Sequence, residues 1–276
     1  MALTALMPLE AQRVAALLAI IVLGVPHGAL DGEVARSLLR PRFGRAWFPV
    51  FSLPYLSLFA LVLLAWRLAP ASTLAAFLAA SAWHFGSENG SDARPGACID
   101  VLVRGGLPIA VPMLIHPAAT TAVFATVAAT PLLQDRLWVA ASAWLALALV
   151  WVGQVALRRK ARELALPALL AGVFVVLPPL TAFAIYFVCV HAPAHTTALI
   201  HDPHRAPRVS DGRSAILLAL PITALTLLIG AALWPLYSGA LPERLLCLTI
   251  QGLAALTLPH MLLDAWFNFR SYCEAC

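Results

Sequence analysis

The chain has 276 residues, of which 62% are hydrophobic and only 11% are charged. A soluble domain carries about 25% charged residues, and a globule of this size must still present a wettable outside, so a soluble enzyme, a disordered chain, a collagen and a disulfide-rich secreted module are all excluded. The net charge of +5, from 18 basic against 13 acidic side chains, gathers in short connections between apolar runs; that is the pattern of membrane topology and not of a nucleic-acid-binding face.

The apolar runs are of helix length, whereas a barrel would show only weak alternation. They predict an all-α fold: a polytopic helical membrane bundle of about 8–9 transmembrane helices, forming a single domain over 1–276. In chain order the expected spans are 11–30, 46–66, 72–88, 101–117, 137–157, 164–178, 180–200, 214–236 and 244–267. The first lacks a basic segment before it and ends in Pro26-His27-Gly28, so a span is expected there and not a cleaved leader. The Thr- and Ala-rich run 119–133 is expected to be interfacial or re-entrant. The run 164–200 is too long for one crossing, and Pro178-Pro179 divides it.

Three basic connections orient the chain: Arg36, Arg40, Arg42 and Arg45; Arg158, Arg159, Lys160 and Arg162; and Arg205, Arg208 and Arg213. Placing all three in the cytoplasm predicts nine spans in a cell inner (plasma) membrane, with the C-terminus cytoplasmic. Cys98, Cys189 and Cys247 are isolated, and the lone Cys273/Cys276 pair reads as a frayed tail more readily than as a redox or metal motif.

Five of the eight histidines, His27, His84, His191, His195 and His260, fall within or at the ends of apolar runs. Their spans all run in the same direction, so the five imidazoles are expected at one depth, in the cytoplasmic half. Ionisable groups inside a bilayer are costly and mark function by default. Five at one level suit a transition-metal site, because neutral imidazole is the commonest metal ligand. His191 and His195 are one helical turn apart, with Pro193 between them to kink the helix. Three of the histidines are followed at i+4 by a carboxylate: His27 by Asp31, His84 by Glu88 and His260 by Asp264. Such a carboxylate can orient a metal-bound imidazole, grip a neighbouring helix, or simply mark where the span meets water. Trp83, Phe85, Tyr186, Phe187 and Trp266 lie close to these histidines in sequence. They read either as interfacial anchors or, together, as walls for a long apolar conjugated substrate. His116 is expected to be interfacial, and His201 and His204 to be solvated loop residues.

Pro26-His27-Gly28-Ala29-Leu30-Asp31, Trp83-His84-Phe85-Gly86, Tyr186-Phe187 followed by His191 and His195, and Pro259-His260 together resemble the Brp/Blh family, the bacteriorhodopsin-related membrane β-carotene 15,15′-dioxygenases. The resemblance implies cleavage of β-carotene by O2 at its central double bond to give two all-trans-retinal. It also implies non-haem Fe(II) held by His27, His84, His191 and His195. His260 is then a fifth ligand or an orienting group, as are Asp31, Glu88 and Asp264. A functional link to a retinal-binding rhodopsin follows from the same resemblance. The chain departs from the family at Ala192-Pro193-Ala194, where relatives carry more polar residues between the paired histidines. Apart from the resemblance, a membrane proton or metal-ion transporter with an intramembrane His/Asp cluster is the principal alternative. A di-iron desaturase would need more histidines in HxxHH-type boxes, and a bis-histidine haem needs only two facing imidazoles.

Overall fold

The structure, a computed structural model, describes residues 7–87, 97–132 and 134–275, with side chains as far as Phe267. The expectations for Glu88 and for the Cys273/Cys276 pair fall outside what is described. Among the described residues there is no strand. Six helical stretches among them are long and apolar enough to cross a membrane: Leu9–Leu68, Cys98–Ile115, Gln134–Leu157, Pro179–Ile200, Gly212–Leu236 and Leu241–Phe267. The chain is thus a helical, multi-pass membrane protein. The first stretch covers 60 residues, about 90 Å if it were one straight helix and about three times a hydrocarbon core. It is broken inside and takes in both the 11–30 and 46–66 runs. The 164–178 run forms a helix of only 12 residues, Ala165–Val176, about 18 Å long and too short to cross alone.

The residues divide into two compact units. Apart from Met1–Ala16, the first holds Ala69–Tyr186. The helix α1 (Leu9–Ala19) begins in this unit. Then come α4 (Pro70–Ser87), α5 (Ala97–Ile115), α6 (Pro117–Ala128), α7 (Gln134–Leu157), α8 (Ala165–Val176) and α9 (Pro179–Tyr186). Here α5 is central, packing against α4, α6, α7 and α8. Two glycines let α4 and α5 meet backbone to backbone. A Cβ on Gly105 would lie 1.8 Å from the Ala82 carbonyl oxygen, and one on Gly86 would lie 2.0 Å from the Val101 carbonyl oxygen. Small residues serve this purpose in membranes because helix association there depends on close packing and not on a hydrophobic drive. Gly105→Ala is therefore expected to push the two helices apart and destabilise the protein by about 1–3 kcal/mol, measured as a lower midpoint of thermal unfolding in detergent. Gly153→Ala, where a Cβ meets open space, should leave the midpoint within experimental scatter.

The second unit holds Leu17–Leu68 and the chain from Phe187 onward. Its first half runs through a π-helical turn (Ile20–Gly24), a 3₁₀ turn (Val25–Leu30), α2 (Asp31–Phe43) and α3 (Trp47–Leu68). Gly44 closes α2 at φ +53°, ψ −122°, a region that side chains disfavour. On α3, Leu53, Leu56, Leu61 and Leu64 are exposed, as lipid contact requires. The second half runs through another π-helical turn (Phe187–His191), α10 (Ala192–Ile200), a loop over 201–211, α11 (Gly212–Leu233) and α12 (Leu241–Ala275). Pro193 sits in the first turn of α10. It lacks an N–H to donate backwards, and the winding loosens to the π turn just before it. Asp211 opens α11 with a reciprocal capping box, its carboxylate accepting from the Ser214 backbone N–H at 2.7 Å. That backbone bond, joined by the Ser214 hydroxyl, holds the Asp211 carboxyl below its ordinary range. The unit's core gathers Leu30, Val34, Ala35, Leu199, Val209 and Ala215.

Candidate metal centre

Four imidazoles meet in the second unit, each from a different part of the chain. His27 comes from the 3₁₀ turn, His191 from the end of the second π turn, His195 from α10 and His260 from α12. The His27 ring centroid lies 5.0 Å from that of His191, 5.5 Å from His195 and 6.0 Å from His260. His195 and His260 are 5.0 Å apart. His191, His195 and His260 are each no more than 5% exposed. The i, i+4 spacing of His191 and His195 thus brings both rings to His27.

Two of these rings have a tautomer set by their neighbours. The His27 Nδ1 faces the Gly24 carbonyl in a very short contact. A carbonyl can only accept, so Nδ1 carries the proton and the lone pair is on Nε2. His260 Nδ1 lies 2.7 Å from Asp31 Oδ1, and by the same logic donates to the carboxylate. The other carboxylate oxygen, Oδ2, accepts from the Tyr55 hydroxyl at 2.8 Å. Asp31 is only 2% exposed. Tyr55, Asp31 and His260 therefore form a chain of charge-assisted hydrogen bonds ending on an imidazole whose lone pair is on Nε2.

The carboxylates divide between the roles open to them. Asp31 serves His260, on α12, and not His27 four residues earlier. In a 3₁₀ turn the eclipsed neighbour is three residues away, so His27 finds Gly24 and Asp31 is turned elsewhere. On α-helical α12 the i+4 geometry survives, with His260 Nε2 3.8 Å from Asp264 Oδ2. The close partner of Asp264, however, is the Arg205 guanidinium from the loop. Ligand atoms of Asp31, His195 and His260 lie within 4.8 Å of one another. With buried nitrogen donors, and with Asp31 and the Gly24 carbonyl orienting two of the rings, this cluster fits a first-row divalent ion.

Phe187 stacks on His191, at 5.1 Å between centroids and 28° between planes, and meets His27 edge-on at 5.4 Å. Gly24 makes room for it, since a Cβ there would lie 2.5 Å from the Phe187 ring. The remaining aromatic candidates divide between the units. Trp266, in the second, is 43% exposed. In the first unit Trp83 is 48% exposed, whereas His84, Phe85 and Tyr186 are buried. The Phe85 ring lies 5.9 Å from His84 and 5.4 Å from Tyr186. His116 precedes α6 and faces the Val175 carbonyl at 3.2 Å. His201 and His204 are exposed loop residues. Tyr55 is the one member of the centre that escapes a reading of the sequence. Its only signal is a hydroxyl in the middle of an apolar run, a group that needs a partner when it is buried.

A profile of the β-carotene 15,15′-dioxygenase family matches residues 18–268. The chain is 29% identical over 294 residues to a probable β-carotene 15,15′-dioxygenase, Blh, of Halobacterium salinarum, with 90% of this chain and 82% of that protein covered. It is also 29% identical over 265 residues to a β-carotene 15,15′-dioxygenase of the uncultured marine bacterium 66A03, with coverages of 93% and 94%. No solved structure matches.

Proposed function

Since the chain belongs to the β-carotene 15,15′-dioxygenase family, we propose that it cleaves β-carotene at the central 15,15′ double bond with O2. The carbon–carbon double bond breaks, each carbon takes one oxygen atom, and two all-trans-retinal molecules result. The observation that carries this reading is the convergence of four imidazoles beside a buried aspartate. His27, His191 and His195 are the proposed ligands in the second unit, with His260 beside them as a further ligand or orienting group. His84 enters the proposal on its Trp83-His84-Phe85-Gly86 motif. Fe(II), the proposed ion, would supply coordination positions and electrons for O2.

The chain's own residues do the rest. The Gly24 carbonyl holds the His27 ring, and Asp31 with Tyr55 holds the His260 ring. Phe187 supplies a flat aromatic wall against two of the imidazoles, suited to the face of a polyene. Substrate and product both partition into lipid, which gives a physical reason for placing this centre within membrane helices. A location in the inner membrane with the centre towards the cytoplasm, and supply of retinal to a rhodopsin, belong to the same proposal. The family match favours this reading over a proton or metal-ion carrier.

Expression in a β-carotene-producing bacterium tests it. Loss of orange colour with accumulation of retinal, and iron bound to the purified protein, are the expected results. Persistent colour despite correctly inserted protein would overturn β-carotene as the substrate.

A further inference from the structure

A second feature of the same unit lies outside the metal centre and answers to different chemistry. One side of α2 and the loop over 201–211 enclose an open groove of about 680 Å³. Arg36 and Arg40 line it from α2, and His204 and Arg208 line it from the loop. The acid among its described lining residues is Glu33, and Arg208 Nη1 is bonded to both Glu33 oxygens, at 3.1 and 3.4 Å. Nearby acids are engaged too. Asp202 accepts from the backbone N–H groups of His204 and Arg205, and Asp264 is paired with Arg205. Setting the Arg208–Glu33 pair aside leaves Arg36 and Arg40 as an excess of two positive charges facing the groove. The Arg36 guanidinium lies 5.8 Å from the Trp47 ring centroid, within cation–π range. Arg40 is exposed.

The walls are stiff. Pro41, Pro203 and Pro207 line them, fixing φ and removing N–H donors. The Ser37 hydroxyl reaches the Arg205 carbonyl at 2.9 Å, tying α2 to the loop. Three of the lining residues thus offer no backbone N–H, and guanidinium groups supply the groove's positive charge. At Pro41 the groove adjoins a second one of about 420 Å³, lined also by Leu38, Arg42 and Trp266. This second groove offers aliphatic and indole surface next to the charges. Both lie where apolar helices give way to a polar connection, which is the level of lipid headgroups.

We propose that this pair of grooves binds an anionic phospholipid, the phosphate on Arg36 and Arg40 and an acyl chain along Leu38, Pro41 and Trp266. A phosphodiester matches the guanidinium fork, which can donate two parallel hydrogen bonds to it. A zwitterionic headgroup brings a cation that the two excess charges repel. The site is independent of the chemistry at the metal centre, and its test does not read cleavage activity.

Native mass spectrometry of the purified full-length protein in detergent, titrated with dioleoyl-phosphatidylglycerol or dioleoyl-phosphatidylcholine, measures the binding. Wild-type protein is expected to retain phosphatidylglycerol in preference to phosphatidylcholine. An arginine near an anionic lipid surface contributes about fivefold in affinity, so Arg36→Gln/Arg40→Gln should weaken phosphatidylglycerol binding about 25-fold. Arg158→Gln/Arg159→Gln removes the same charge from a different basic connection and should change it less than about twofold. Arg36→Lys/Arg40→Lys keeps the charge and should fall between wild type and the glutamine variant. Millimolar inorganic phosphate should not displace the lipid. Equal losses in the two glutamine variants would reduce the groove to diffuse positive charge and overturn the proposal. Absence of preference between the two lipids, or full displacement by phosphate, would overturn it as well. If the Arg36→Gln/Arg40→Gln variant fails to fold, Arg36→Lys/Arg40→Lys, which keeps the charge, takes its place: a loss of phosphatidylglycerol binding larger than that of Arg158→Gln/Arg159→Gln supports the groove, and a loss no larger overturns it.

Discussion

His191→Ala is expected to leave a β-carotene-producing host orange, with retinal formation reduced more than about 100-fold. Loss of a group that merely orients a ligand costs about 10–100-fold in metal affinity or activity, and loss of a ligand should exceed that. His191 is 3% exposed and packs against both His27 and Phe187, so its removal takes away a donor and part of a wall together. Phe187→Leu separates the two effects. It removes the aromatic face while keeping all four imidazoles, so it should lower retinal formation and leave the iron content of the purified protein near that of wild type. Iron retained in full by His191→Ala, measured by elemental analysis of correctly inserted protein, would remove His191 from the ligand set.

The second large effect is expected at Asp31. Asp31→Asn should weaken metal binding about 10–100-fold, read anaerobically as the Co(II) absorption that develops on titration of the metal-free protein. The size of the change follows from what an amide offers in place of a carboxylate. An asparagine can turn its NH2 towards His260 Nδ1, which then accepts instead of donating. The ring proton moves to Nε2 and the lone pair leaves the side on which Asp31 had set it. Tyr55→Phe removes one donor from the carboxylate but leaves its bond to His260, so a smaller loss in the same direction is expected. Unchanged Co(II) affinity in Asp31→Asn, with binding lost in His191→Ala, would show that His260 is not held for the metal while the rest of the centre stands.

The histidines of this centre are legible in the sequence because charge and period are strong signals in an apolar chain. A polar ring inside a run of leucine and alanine stands out, and the HxxxH spacing points to one helical face. Their partners are less legible. Pairing Asp31 with His27 assumes 3.6 residues per turn, whereas Val25–Leu30 is wound as a 3₁₀ turn. The bond from Asp31 to His260 joins positions 229 residues apart, and no local pattern encodes that. Tyr55 sits 24 residues from Asp31, within a helix that is otherwise largely apolar. Asp264 illustrates a different limit: its i+4 spacing from His260 is preserved in space, but a loop arginine competes for it and lies closer. The helix break at Pro178-Pro179 and the altered winding before Pro193 are legible because proline acts through local covalent geometry.

The two π-helical turns, Ile20–Gly24 and Phe187–His191, set how much the length of this chain can vary. Each holds one residue more per turn than an α-helix would. Deleting a residue from either would let the segment relax into regular winding while the flanking helix keeps its facing, because a five-residue wide turn and a four-residue regular turn both come round through about one full circle. A deletion in regular winding, such as within Leu9–Ala19 ahead of His27, would instead turn everything beyond it by about 100°. Both turns should therefore absorb the loss of one residue better than the α-helical winding elsewhere in the chain.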